Sequence, residues 1–358
     1  MIKQLKGRRL IQVKVDPATD QPFAYSMHRL LKEKILDEME KYERGQAFRS
    51  AFRLIRKQYP QAESTQVPRV GTWPKCQELM PHVLSFHQVF TANMNQALND
   101  MARVSDPLPV ELAQLFYDAG FYVWTRQSTS YDGVTFLQTA DRILDGLDKE
   151  AHIKLRADIH CMVGLLLLLR SCADQARGTQ RLKAARAARV RIFDADPTEE
   201  NNVLMQNAKA DYSLCLMNEH LFDEAGEIWE ECYKAYQARG PEKDHPFEYS
   251  KYRGQVSIIL MWEGRFDEAI KSVRMCLAHT EKFGGKKTQY WRRVYLLGCV
   301  LLQASVQDKA YRQAALEAHL EALTGRLETH GKNDQNTIQS MYAVGAMYHH
   351  LGDTSTAM

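Results

Sequence analysis

The apolar positions of this chain fall into long helix-period stretches separated by short polar breaks, and a small residue recurs in the middle of them. Gly120, Gly164, Ser213, Ser257, Gly298 and Gly345 mark it, at steps of 44, 49, 44, 41 and 47 residues. Spacing in this range predicts a repeat array, in which each unit buries its apolar face only against its neighbours. The first 45 residues are different. RRLIQVKVD and QPFAYSM read as short strands around the turn-prone DPATDQ. HRLLKEKILDEMEKYE then turns helical, with Leu30, Leu31, Ile35, Leu36 and Met39 as its apolar positions. Residues 46–107 read as a helical connector in which Pro60, Pro68, Pro74 and Pro81 break helices and QAESTQVPRVGT is an exposed loop.

The text around each small residue is specific. In QVSIILMWEGRFDEAIKSVRMCLAH, Ser257 is followed by Gly264, Phe266, Ala269 and Ala278. LCLMNEHLFDEAGEIWEECYKAY places Phe222, Ala225 and Trp229 in matching positions after Ser213, and SMYAVGAMYHHLGD carries Gly345, Tyr348 and Gly352. These motifs resemble the tetratricopeptide repeat, a pair of antiparallel helices, and HGKNDQNTIQSMYAVGAMYHHLGD is similar to its kinesin-light-chain-like variety. The resemblance runs from Pro107 to the end. It implies an all-α, right-handed TPR-type α-solenoid over 108–358, with about six repeats and the last one truncated near Met358.

The order of parts also resembles the C-terminal portion of fungal NB-ARC/TPR receptor-like proteins, through SMHRLL and through Trp73, Cys76, Pro81 and His82. That resemblance implies a winged-helix-like remnant at 1–45 ahead of the connector. It stops short of the ATPase. No GxxxxGK[ST] loop occurs, and GGKKT at 284–288 lacks the first glycine at the spacing a phosphate cradle needs. No cofactor is expected.

Composition narrows the function classes. Lys and Arg number 47 against 44 Asp and Glu, a net charge of +3, which gives no electrostatic case for nucleic acid. Arg177, Arg181 and Arg189 form a basic stripe, too short and too poor in aromatic residues for a strand-binding surface. Seven cysteines without a CxxC pair read as reduced packing thiols. MIKQLKGRRL has no apolar leader core, and the most apolar run, 161–169, is too short to cross a bilayer. A cytoplasmic protein without membrane contact is expected.

Candidate chemistry is sparse. His349 and His350 are adjacent and point about 100° apart on a helix, so no metal is expected there. DADPTEEN reads as a loop feeding a helix, and Asp141, Asp145 and Asp148 as a solvated helix face. No GxSxG or cysteine-nucleophile signature occurs. In a TPR array the first helices line a concave groove. Counting from the small residues, the resemblance implies that Lys251, Arg292 and Asn207 hold charge and backbone, with Trp262 and Tyr295 as apolar anchors. Tyr117, Trp124, Asp158, Tyr342 and His349 complete the candidate surface. The leading expectation is a non-catalytic adaptor that takes a protein or peptide in this groove. The alternative is the same scaffold co-opted as an enzyme or small-molecule binder in a fungal biosynthetic pathway. A third expectation is a homodimer through the truncated last repeat, where Tyr342, Val344 and Met347 lack a covering helix.

Overall fold

The computed structural model describes residues 11–15, 22–27, 34–35, 37–62, 67–92, 108–127, 131–148, 150–170 and 172–352. Two compact units divide the chain, Met1–Gln58 and Tyr59–Met358. In the first, strands β1 (Ile11–Val15) and β2 (Pro22–Met27) pair antiparallel, with Val13 opposite Tyr25. Helix α1 (Lys41–Gln58) follows. The helix-period stretch that contains Met39 is interrupted at Met39 and Glu40, where Arg44 donates its Nε to the Met39 carbonyl at 2.9 Å. Leu30, Leu31 and Leu36 lie outside the described residues.

The second unit begins with a 3₁₀ turn at Val70–Thr72 and helix α2 (Trp73–Ala92). Pro74 and Pro81 do not break this helix, contrary to the sequence expectation. Pro74 sits in the first turn, where a backbone N–H would have no intrahelical partner. Pro81 lies inside and removes one rung, while Val83 and Phe90 bury the same helix. His87 of α2 sits edge-on to both Phe116 and Phe136 and reaches Thr139 Oγ1 at 2.8 Å.

The remaining described helices form an all-α solenoid of pairs. They are α3 (Leu108–Gln127) with α4 (Tyr131–Asp145), and α5 (Ile153–Arg170) with α6 (Cys172–Ala195). Then come α7 (Glu199–Asn218) with α8 (Phe222–Arg239), α9 (Pro246–Trp262) with α10 (Phe266–Gly284), and α11 (Thr288–Ala304) with α12 (Tyr311–His330). Helix α13 (Gln335–His350) packs on α12. Each of the six small residues falls on the first helix of its unit.

The reason for smallness is a side chain of the second helix. A Cβ on Gly164 would lie 2.6 Å from Leu182 Cγ, and one on Gly298 would lie 2.7 Å from the His319 ring. The helix-to-helix turns are also shared. Arg265 N bonds Leu260 O and Leu221 N bonds Leu216 O, the six-to-one link of a left-handed helix cap. Gly264 supplies the positive φ (76°) in one turn and His220 in the other (60°), so His220 holds a conformation that normally calls for glycine. Ala269 and Ala225 are fully buried at the crossings, beside Trp229 and Val273.

Charge is spent on pinning helices together. Arg181 pairs with Asp141 at 2.7 Å, Arg189 pairs with Asp158, and Arg177 meets Asp174 at 3.4 Å. Arg181 and Arg189 of the basic stripe are therefore internal fastenings between helices, while the exposed Arg177 meets a neighbour on its own helix. Asp141 is buried rather than solvated, and also meets His160 at 3.1 Å. Thr198 caps α7, with Glu199 and Glu200 in its first turn, as the loop reading of DADPTEEN expects. The last helix departs from expectation in a similar way. Val344 and Met347 are buried in the cluster around Ala315 and Val300, so the exposed apolar side chains of α13 are Ile338, Met341 and Tyr342.

One contact tests how tightly these pairs close. Gly325 of α12 faces Trp291 of α11, where a Cβ would fall 2.2 Å from the indole. Gly325→Ala is expected to cost about 1–3 kcal/mol by overpacking, despite the higher helix propensity of alanine. Urea denaturation checks the sign; a stabilised variant would show that the indole can move aside.

Candidate functional site: the concave cavity

Consecutive first helices α3, α5, α7, α9 and α11 touch one another along the inside of the solenoid. The curve also returns on itself. Thr288, at the start of α11, donates its hydroxyl to the carbonyl of Arg126, at the end of α3, at 2.6 Å. The first and fifth pairs are joined, and the first helices enclose a cavity of about 720 Å³.

The lining follows one stripe of the first helices. Relative to each small residue it takes Lys251, Arg292 and Gln339 six positions before, and Asp211, Gln255 and Leu296 two before. Leu165, Leu214 and Ile258 come one after, Asn218 and Trp262 five after. On a helix of about 100° per residue these four offsets lie within roughly 60° of one another. The position three before lies outside that stripe and turns toward neighbouring helices. Tyr117, Cys161 and Ala210 hold it and are buried, and only Tyr295 of that row reaches the cavity.

The structure therefore brings together Trp124, Lys251, Trp262, Arg292 and Tyr295 from among the candidates. Asn207 lies between helices, accepting the Tyr236 hydroxyl at 3.1 Å. Asp158 is engaged by Arg189, and Tyr117 is 2% exposed beside it. Tyr342 (80% exposed) and His349 sit on α13 outside the lining.

Several lining residues come from places the offsets do not reach: His220 from a turn, Phe222 from the start of α8, Gln289 and Arg293 from α11, and Arg326 from α12. Gln289 could have been found, since it stands three residues before Arg292, on its face of the helix. Arg326 could not, because it lies on a second helix.

The ends of the cavity differ in chemistry. The first helices run in the same direction, since each is followed by an antiparallel partner across a short turn. Lys251 and Arg292 stand in their N-terminal halves, and Trp262 and Asn218 at their C-terminal ends. Eleven residues of helix separate the two positions, about 16 Å. At the far end Trp262, 58% exposed, stacks on Phe222 (centroids 5.1 Å, planes 29° apart) with His220 edge-on at 5.8 Å. At the near end Lys251 Nζ binds Asp211 at 2.7 Å, and Asp211 also accepts the Cys161 thiol at 3.1 Å. Arg326 lies over the Tyr295 ring at 4.5 Å and donates to Asn336 O and Ser340 Oγ at 2.6 and 2.8 Å.

Five of the cysteines are held in the thiol form by burial. Burial pushes the thiols of Cys76, Cys215, Cys276 and Cys299 up, and that of Cys232 up to about 12, away from the reactive thiolate. Among the described residues no group of three His, Cys, Asp or Glu side chains could hold a metal ion, and no helix is long and apolar enough to cross a membrane.

No protein-family model matches the chain, and no curated protein matches it. Solved structures similar to it include a kinesin light chain with TPR-like repeats from P. anserina, at 14% identity and a TM-score of 0.41, covering 59% of this chain and 92% of that one. BtubC (BKLC) from P. vanneervenii is similar at 16% identity and a TM-score of 0.39, covering 59% and 87%. The apo form of the quorum sensor NprR from B. thuringiensis is similar at 11% identity and a TM-score of 0.43, covering 79% and 82%.

Proposed function

We propose that this chain is a non-catalytic adaptor whose concave cavity holds a short extended segment of a partner protein. The observation that carries this reading is the spacing of the cavity's two ends. Along α9 the exposed indole of Trp262 stands about 16 Å of helix rise from Lys251 at the cationic end, the span of about five residues of extended chain. Aromatic anchors with cationic partners are the usual strong points of peptide recognition. On the sequence resemblance alone, residues 1–45 are read as the winged-helix-like remnant of a receptor-like protein, which would place the adaptor in an assembly with larger nucleotide-binding partners.

Trp262→Ala tests the reading, because so exposed a ring contributes little to folding. Affinity for sequences enriched from a displayed library of unmodified random peptides is expected to fall by at least about 10-fold. The unfolding midpoint is expected to hold within about 0.5 kcal/mol. A library yielding no enriched sequence, or one retained equally by the variant, would count against the reading. Lys251 is less suitable for mutation, because its removal strands the buried Asp211.

A second reading has its own support. About 720 Å³ is within the usual range of small-molecule sites, and the Thr288–Arg126 link closes the ring around it. Native mass spectrometry of the purified protein distinguishes the two: a stoichiometric small molecule favours this second reading.

A further inference from the structure

We infer that the cationic end of the cavity is a phosphoryl site, and that the bound segment is a phosphopeptide; this rests on the peptide-binding reading above.

The formal charge of the cavity wall is the first reason. Its cations are Lys251, Arg292, Arg293 and Arg326 and its one carboxylate is Asp211, four less one, or +3 with His220 neutral. Asp211 is already held by Lys251. Among the described residues no carboxylate forms an ion pair with Arg292, Arg293 or Arg326, while most other internal arginines of the solenoid have one. Guanidinium groups gathered in a partly dry wall repel one another and lose hydration, a cost that a bound anion removes.

The three groups lie near enough to feel each other. Burial, then Arg293 and Arg326, depress Arg292 to about 10. Arg326 is likewise depressed to about 10, chiefly by burial. Room for Arg293 comes from Gly254, where a Cβ would lie 2.7 Å from the Arg293 guanidinium nitrogen. Arg326 is fixed by neutral acceptors through one terminal nitrogen, and its buried Nε has no partner.

The uncharged polar groups point the same way. Gln289 Nε2 and Trp124 Nε1, both on residues of the cavity lining, are buried donors without a partner. Gln255 Oε1 is the one unpartnered acceptor of the lining among the described residues. The wall is therefore rich in donors and asks for a ligand rich in acceptors. A single carboxylate would leave two guanidinium charges uncompensated. A phosphomonoester brings nearly two negative charges and three terminal oxygens, which suits forked guanidinium donors. The indole stack at the other end sets an apolar residue about five positions away.

The test compares two oriented peptide libraries, one with a fixed phosphoserine and one with serine in its place, on the full chain and on Arg292→Gln and Arg293→Gln. Thermal melts confirm that both variants fold. The phosphoserine library is expected to be retained at least about 10-fold more strongly, with an apolar residue selected about five positions from the phosphate. Either arginine variant is expected to lose that preference, and millimolar inorganic phosphate to compete. Equal retention of both libraries would overturn the phosphoryl site and leave peptide binding standing. Retention of neither, together with a melting shift by phenyl phosphate but not benzoate, would overturn the phosphopeptide and assign the site to a small phosphate ester. A preference that survives in both variants would also overturn it.

Discussion

Replacing Asp158 by alanine is expected to destabilise the solenoid by about 3–5 kcal/mol, the largest effect of any single polar substitution considered for it. Arg189 is 4% exposed, and its described ion pair is with Asp158. The pair fastens α5 to α6 beneath the buried Tyr117 ring. Burial pushes the Asp158 carboxyl up, and the Arg189 charge and hydrogen bond oppose that push. Truncating the acid leaves a guanidinium without water or counter-charge, and that stranded charge is the source of the loss. The double variant Asp158→Leu/Arg189→Met is expected to recover most of the stability, because an apolar pair of similar volume avoids the desolvation of both ions. Urea denaturation of the two variants is the measurement. Equal destabilisation in both would locate the cost in packing instead.

Acid sensitivity gives the second large effect. His319 stands on α12 where Leu137 and Leu182 stand in earlier pairs, each facing the small residue of its first helix. Its ring is 1% exposed, lies 5.1 Å from the Tyr295 ring, and leaves Nδ1 without a partner. Burial, with Arg326 adding to it, lowers its pKa from 6.5 to about 4. Below pH 6.5 the unfolded chain takes up a proton that the folded chain refuses, so stability falls as the pH drops from about 6.5 toward about 4. The full difference is about 3 kcal/mol. His330 is lowered as well, by burial first, and adds to the same limb. His319→Leu should flatten most of this acid limb and keep or raise stability at neutral pH. Urea midpoints of both proteins between pH 4 and 8 decide it; parallel curves would remove His319 as the cause.

The array was legible because its spacing depends on something each pair must solve alone. A first helix can approach its partner only where a side chain is missing, so Gly164 or Ser213 announces the crossing whatever the rest of the unit says. The strand pair was legible through its turn-prone DPATDQ. Pro81 was misread because helix continuity there is decided by burial of Val83 and Phe90, which no local rule sees. Asp141 was misread for a related reason: its partners Arg181 and His160 come from different helices, and a helical face alone does not reveal them. In the cavity, the offset of six before gave Lys251 and Arg292 on the lining but also Asn207 and Asp158, which are taken up between helices, and the offset of five after gave Trp262. The offset of three before was turned into the packing between helices, giving Tyr117. Arg326 belongs to the second helix of the same pair, so the packing of α12 on α11, and no offset along a first helix, brings it to Arg292.

The bond between Thr288 and Arg126 changes how the protein should lose its structure. An open row of repeats can fray from either end, since each unit leans only on its neighbours and stability is close to a sum of local terms. Here the first and fifth pairs restrain each other across 162 residues of chain. Loosening one pair also releases a contact far away in sequence, so terminal fraying is coupled to the middle of the molecule. The solenoid is expected to melt more as a single cooperative body than as a row of independent units.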